Sequence, residues 1–329
     1  MTVTEFSSPL ADYFREFVAM KHALGYKYES NLYRLRQLDD LCSEQANDDV
    51  CLSKEIAEIW SQQRPNESPQ TRQSKIRFFN ELAEFLALRG IKAHVLPLKR
   101  NSPTPASYVP YIFTHEQIKD FLRTADKRPS HRAHPISNQM YSVLFRVLYC
   151  CGLRISEALN LKYNDVNLKT GVLTVRDGKF GRDRLVPITD SLCKVIDDYL
   201  PTIKAHQPNN PYIFPTRFSS SPVTSESAYD YFRKVLWDAG IPHSGRGKGG
   251  PRLHDFRHTF AVHSLQKWID DDVDVYAALP ALSTYLGHED LKITEKYLRL
   301  TSEVHPDLVR MSESYSDFVI PEVKFCETD

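Results

Sequence analysis

Seven polar side chains between positions 154 and 297 have types and spacings that could do chemistry. They are Arg154 with Glu157 three residues on, Lys179, His254 with Arg257 three on, and His288 followed nine positions later by Tyr297. Guanidiniums are fixed planar cations that hold paired anionic oxygens. A phenol attacks an electrophile once its proton is taken, and imidazole and amine groups move protons. Such a set suits displacement at a phosphoryl centre. Each residue alone also has an ordinary use. Arg154 and Glu157 would form a helix-surface ion pair worth about a few tenths of a kcal/mol, Lys179 a solvated turn lysine, and Tyr297 a half-buried helix tyrosine. His254 and His258 stand at the i, i+4 spacing of a zinc helix, but Asp255 follows the first histidine where a zinc protease needs glutamate. The acidic run Asp270, Asp271, Asp272 and Asp274 lacks the central glycine and closing glutamate of a calcium loop and reads as a solvated turn. No metal is expected.

Periodicity predicts the elements that position these groups. Residues 9–89 read as helices without strands. Leu10, Tyr13, Phe14, Phe17, Val18 and Leu24 recur at helical spacing, and Leu32, Leu35, Leu38 and Cys42 follow a Ser30 cap. Ile56, Ile59 and Trp60 make a short third helix. Ser68-Pro69 opens a fourth, which carries Ile76, Phe79, Leu82, Phe85 and Leu86 and closes at Gly90. Prolines 97, 103, 105 and 110 then impose an extended segment, which predicts a helical domain over 1–100, a linker over 101–110 and a second domain over 111–329. In the second domain, Thr114 with Gln117 forms a capping box. A helix ends near Cys151, and strands GVLTVRD and DRLVPI flank the turn GKFGR. Helices are expected over 190–200, 225–239, 252–268 and 289–299.

The stretches CGLRISEALNL (151–161), GKFGRDRLVPI (178–188), HDFRHTFA (254–261) and LGHEDLKITEKYL (286–298), in that order, resemble the tyrosine recombinase family, which includes phage integrases. The resemblance runs from about 112 to 300. It implies a mainly α fold with a small β-sheet: a helical core-binding domain and a catalytic domain that close around duplex DNA as a C-shaped clamp. Carried over by position, Arg154 and Arg257 would grip the scissile phosphate and Lys179 would match the hairpin lysine. His254 and His288 would match the family histidines, Tyr297 the nucleophile, and Glu157 an acidic residue that orients the first arginine. The implied reaction cuts and rejoins DNA through a covalent 3′-phosphotyrosine, without metal, ATP or cofactor. His254 is the expected proton acceptor and Lys179 the expected donor to the departing 5′ oxygen. The segment from Arg257 to His288 is longer than in many members, and LPALSTYLGH resembles integrases of transposons and other mobile elements.

Composition sets the bounds. The chain has 329 residues with 41% apolar, enough for two cores and too much for wholesale disorder. No apolar run approaches a bilayer span and the start lacks a signal-peptide layout, so a cytoplasmic, nucleoid-associated protein is expected. No further amino-terminal domain is expected. Six cysteines without a CxxC pair read as reduced thiols. The 42 bases balance 42 acids, yet residues 303–329 hold seven acids and two bases, leaving a basic body with an acidic tail. Within the glycine-rich loop, Arg246, Lys248 and Arg252 are the expected phosphate contacts. Expected partners are double-stranded DNA, other protomers in a tetrameric synaptic complex, and accessory bending or directionality proteins. The tail is expected to pack on a neighbouring protomer. Two alternatives share the fold or chemistry: a catalytically silent DNA-binding regulator and a type IB topoisomerase.

Overall fold

The computed structural model describes residues 6–304, apart from 27, 46–48, 66, 99–108, 131, 133, 177–182, 218, 244–249 and 289, with backbone alone at 29, 30, 299 and 301–304. The chain divides into two compact units, Met1–Ser107 and Tyr108–Asp329.

The first unit contains α1 (Ala11–Ala23), α2 (Glu29–Gln45), α3 (Lys54–Ser61) and α4 (Pro69–Ala87). Ser53 and Ser68 cap α3 and α4 by accepting the amides of Ile56 and Thr71, and Pro69 opens α4 where no amide donor is needed. Phe14, Phe17, Leu35, Leu38, Phe79, Leu82 and Leu86 are wholly buried between the helices. Ser30 lies inside α2 and is no cap. The helix begins one residue earlier, after Tyr28 turns the chain at φ 55°.

The second unit builds on α5 (His115–Lys127) and α6 (Ser137–Cys151), followed by α7 (Ile155–Leu159) and a 3-10 turn at Tyr163–Asp165. Thr114 and Gln117 close the capping box of α5. Strands β1 (Val166–Asn167), β2 (Val172–Val175) and β3 (Arg184–Pro187) form an antiparallel sheet in that order. Leu173 opposes Val186 and Val175 opposes Arg184. Leu173, Val175 and Val186 face the core while Leu185 faces solvent, so the two-residue period turns Arg184 inward with Val186.

The remaining helices are α8 (Asp190–His206), α9 (Ser225–Asp238), α10 (Asp255–Asp270), α11 (Val275–Leu286) and α12 (Leu291–Val304). Helix α11 lies in the long segment between Arg257 and His288, where no helix is expected from the sequence beyond 268. Asp274 caps it by accepting the amides of Tyr276 and Ala277, and Pro280 is tolerated inside it.

Two apolar clusters hold this unit. The larger centres on Phe113, Phe121, Phe145, Phe232 and Phe256, all wholly buried. Phe256 touches the other four rings, with centroids 5.2–6.1 Å apart. The smaller joins α10, α11 and α12 through Ala261, Val262, Leu265, Leu279, Leu282, Leu286 and Tyr297. Among the described residues no helix is long and apolar enough to cross a membrane, and the five described cysteines are free thiols.

Candidate active site

Four element ends converge on one cluster: the C-terminus of α6, the N-termini of α7 and α10, and the C-terminus of α11. Phe256 sits between Asp255 and Arg257, so its seat in the aromatic core fixes the first turn of α10. Arg257, 1% exposed, donates from Nη1 to the Gly152 carbonyl at 2.7 Å and from Nη2 to the Leu286 carbonyl at 2.7 Å. Those carbonyls end α6 and α11, where a helix presents its negative pole and a cation is stabilised. Both helices stop at a left-handed glycine, Gly152 at φ 57° and Gly287 at φ 69°. A Cβ on Gly152 would lie 2.6 Å from Phe260 Cδ1 and 2.8 Å from Leu286 Cδ2, so any larger residue would force its neighbours to shift.

Arg154 stands at the N-cap of α7 and is not inside a helix, which corrects the surface ion-pair reading. Its Nη1 donates to Glu157 Oε1 at 2.6 Å, its amide donates to Oε2 at 3.0 Å, and its Nη2 donates to the Gly287 carbonyl at 3.2 Å. Glu157 is buried and also receives both Nη atoms of Arg184, whose Nε donates to the Tyr285 carbonyl at 3.0 Å. Burial would raise the Glu157 carboxyl, but the Arg184 and Arg154 bonds outweigh it and hold it at about 2. Burial, then Arg154, lowers Arg257 to about 10, which leaves it charged at neutral pH. Three guanidiniums against one carboxylate leave a positive site.

Tyr297, 4% exposed on α12, packs in the smaller apolar cluster with its hydroxyl 3.1 Å from His258 Nδ1. Burial raises its pKa, opposed by the charge and a hydrogen bond of Arg257 and by the charge of Arg154. His288 stacks beside Tyr297 with centroids 6.1 Å apart, and its Nδ1 meets Oγ1 of the wholly buried Thr294 at 2.8 Å. Burial and the three arginines hold His288 down to about 3. His254 keeps an exposed edge at the N-cap of α10, its ring edge-on to His258 with centroids 4.7 Å apart. Lost hydration on its protein side, then Arg257 and Arg154, hold it at about 4, and His258 is held at about 4 by burial, His254 and Arg257.

Arg154, Glu157, His254, Arg257, His288 and Tyr297 are thus brought together. Arg252 is exposed just ahead of α10, and its amide donates to Asp255 at 2.7 Å. Lys179, Arg246 and Lys248 lie outside the described residues. Two members were missed from sequence. Arg184 is detectable as a charge on the inward face of DRLVPI, whereas the i, i+4 spacing of His258 suggests only a zinc helix. Among the described residues no group of three or more His, Cys, Asp or Glu is placed to hold a metal ion.

A helical unit with a small antiparallel sheet, presenting paired arginines near element ends and a tyrosine from within α12, defines an integrase-type catalytic unit. Residues 112–303, more than half of the chain, match the sequence model of the phage integrase family, and the chain belongs to that family, the tyrosine recombinases. It is 30% identical over 303 residues to the integrase/recombinase y4rB of Sinorhizobium fredii, covering 91% of this chain and 95% of that one. It is 29% identical to the tyrosine recombinase XerA of Pyrococcus horikoshii over 224 residues, covering 68% and 67%. Two solved structures share the fold. The XerH site-specific recombinase in a post-cleavage complex with palindromic difH substrate aligns with TM-score 0.61 and 20% identity over 87% of this chain and 78% of that one. The Tn1549 transposon integrase in complex with a circular intermediate DNA aligns with TM-score 0.59 and 17% identity over 86% and 93%.

Proposed function

We propose that this protein is a site-specific recombinase that cuts and rejoins duplex DNA through a 3′-phosphotyrosine on Tyr297, serving integration, excision or transposition of a DNA element. One observation carries the reading: the Tyr297 hydroxyl lies within hydrogen-bond reach of an imidazole and of Arg257, in a cluster with net positive charge.

In-line attack on a phosphodiester builds negative charge on the non-bridging oxygens. A guanidinium has five donors, so the two carbonyl bonds of Arg257 leave others for a phosphate oxygen. Arg154, held by Glu157, takes the second oxygen, and the pair supplies preorganised positive charge at that centre. His288, oriented through Thr294, donates to the phosphate. Lys179 protonates the departing 5′ oxygen. Because the phosphotyrosine retains the bond energy, a second 5′ hydroxyl can displace Tyr297 and reseal the strand.

The two units are proposed to close on DNA as a clamp, with Arg246, Lys248 and Arg252 contacting backbone phosphates and making affinity steeply salt-dependent. Two cuts per duplex require several protomers, and a tetramer on two sites is the proposed assembly, its place the nucleoid. The XerH and Tn1549 complexes with DNA support this reading of the partner.

Covalent trapping tests it. A nicked suicide duplex bearing the candidate site, incubated with EDTA, should yield an SDS-resistant adduct that Tyr297→Phe abolishes and Tyr285→Phe retains. Salt-sensitive binding to a verified site without an adduct would favour the silent regulator. Relaxation of supercoils without exchange between two sites would favour the topoisomerase.

A further inference from the structure

We propose that His258, and not His254, is the group that takes the proton of Tyr297 as the covalent bond to DNA forms. The inference rests on the recombinase reading of the same site.

The hydrogen-bond geometry around the phenol leads to it. Tyr297 Oη is 3.1 Å from His258 Nδ1 and within reach of a hydrogen bond from the Arg257 side chain. A guanidinium can only donate, so Arg257 cannot receive the phenol hydrogen. The phenol proton therefore points to an acceptor, and Nδ1 of His258 is placed to be that acceptor. The proposed role requires the neutral tautomer of His258 with its hydrogen on Nε2. The ring is held neutral by burial beside His254 and Arg257, so its lone pair stays available.

The other two histidines are engaged differently. His288 lies ring-to-ring with Tyr297 and commits its Nδ1 to Thr294. His254 stands at the exposed N-cap of α10 and turns the edge-to-face contact of its ring toward His258. His254 is therefore placed to reach a bound phosphate, with His258 behind it on the next turn of α10 against the nucleophile.

The step balances as follows. Tyr297 Oη bonds to phosphorus, the bond from phosphorus to the 5′ oxygen breaks, and the phenol proton moves to His258 Nδ1. The departing 5′ oxygen takes its proton from Lys179. In the resting site the phenol keeps its proton, because burial raises Tyr297 and lowers His258. Transfer becomes favourable as bond formation draws electron density from the phenol oxygen, with the phosphate charge beside the imidazolium that forms. On resealing, Tyr297 becomes the leaving group and recovers the same proton from His258, so the histidine ends each exchange unchanged.

Single-turnover cleavage of the suicide duplex tests the assignment in wild type, His258→Ala and His258→Asn. Asparagine places an acceptor oxygen close to the Nδ1 position without a basic nitrogen. Both variants should bind DNA as wild type does and cleave about 100-fold or more slowly, the usual worth of a positioned base. Added imidazole should accelerate His258→Ala and leave His258→Asn unchanged. A His258→Asn enzyme cleaving within about threefold of wild type would reduce the contact to orientation and overturn the assignment. So would a His258→Ala enzyme that imidazole does not accelerate. If the alanine variant does not fold, the asparagine variant decides alone. Wild type that forms no Tyr297 adduct would instead defeat the recombinase reading, a separate result.

Discussion

Arg184 and Glu157 meet through two parallel bonds, Nη1 to Oε1 at 3.0 Å and Nη2 to Oε2 at 2.8 Å, while the same carboxylate holds Arg154. Glu157 therefore bridges two arginines, one on β3 and one at the cap of α7. Strand β3 is tied by this bridge to the residue proposed to grip the phosphate.

Removing Arg184 would leave Glu157 buried with one partner fewer. Arg184→Ala should destabilise the catalytic unit by about 3 kcal/mol, as expected for breaking a buried pair. It should also slow cleavage more than it weakens DNA binding. In a double-mutant cycle with Glu157→Gln, measured by denaturant unfolding, the two losses should be strongly non-additive. Additive losses would disprove the bridge.

Gly152 joins α6 to the arginine site in a left-handed conformation and a tight space that favour glycine. Gly152→Ala combines a left-handed backbone cost with contacts of 2.6 Å and 2.8 Å to Phe260 and Leu286. A loss of about 3 kcal/mol is expected from strain and overpacking together. A loss below about 1 kcal/mol in denaturant unfolding would show that the neighbours relax freely.

Thr294 is wholly buried and holds His288 at 2.8 Å. Thr294→Val keeps its shape and removes the hydroxyl, so stability should change by about 1 kcal/mol, the net worth of one hydrogen bond. Cleavage should fall more than that loss accounts for, because His288 loses the contact that orients its ring. Equal cleavage rates in the two proteins would remove His288 orientation from the mechanism.

Acid should destabilise the fold by a route that begins well above the carboxylate range. His254, His258 and His263 are held at about 4 and His288 at about 3, all below the ordinary histidine value. Below about pH 6.5 the unfolded chain binds protons at these four sites that the folded chain refuses, so stability falls as pH falls. Glu157, held at about 2, adds a further loss below the ordinary glutamate value. The Tm followed by circular dichroism should be level near pH 7–8 and drop between about pH 6.5 and 4. His263, stacked on His115 and bonded to Tyr149, offers a control outside the proposed chemistry. His263→Gln should flatten the slope, and a Tm unchanged down to about pH 4.5 would refute the whole account.

Much of the architecture was legible because it is local. Ser53, Ser68, Thr114, Thr189 and Thr224 each accept an amide from the first turn of the helix they precede. The alternation in GVLTVRD and DRLVPI is the burial pattern of two paired strands. Helix α11 escaped because Pro280 and the acidic run before it resemble a loop, although Asp274 is an ordinary cap. Strand β1 escaped because two residues carry no period.

What the sequence determined by itself is therefore the order and type of most elements and most of the chemical groups, since caps, periodicity and motif order act over a few residues. It could not say which histidine touches the tyrosine. His254, His258 and His288 are equivalent by type, and only the packing of α12 against α10 brings His258 Nδ1 to Tyr297. Nor could it show Arg184 across from Glu157, 27 positions apart, or the glycine-ended helices whose carbonyls seat Arg257. Those contacts depend on where three helices and a strand end in space, and the tertiary fold alone sets that distance.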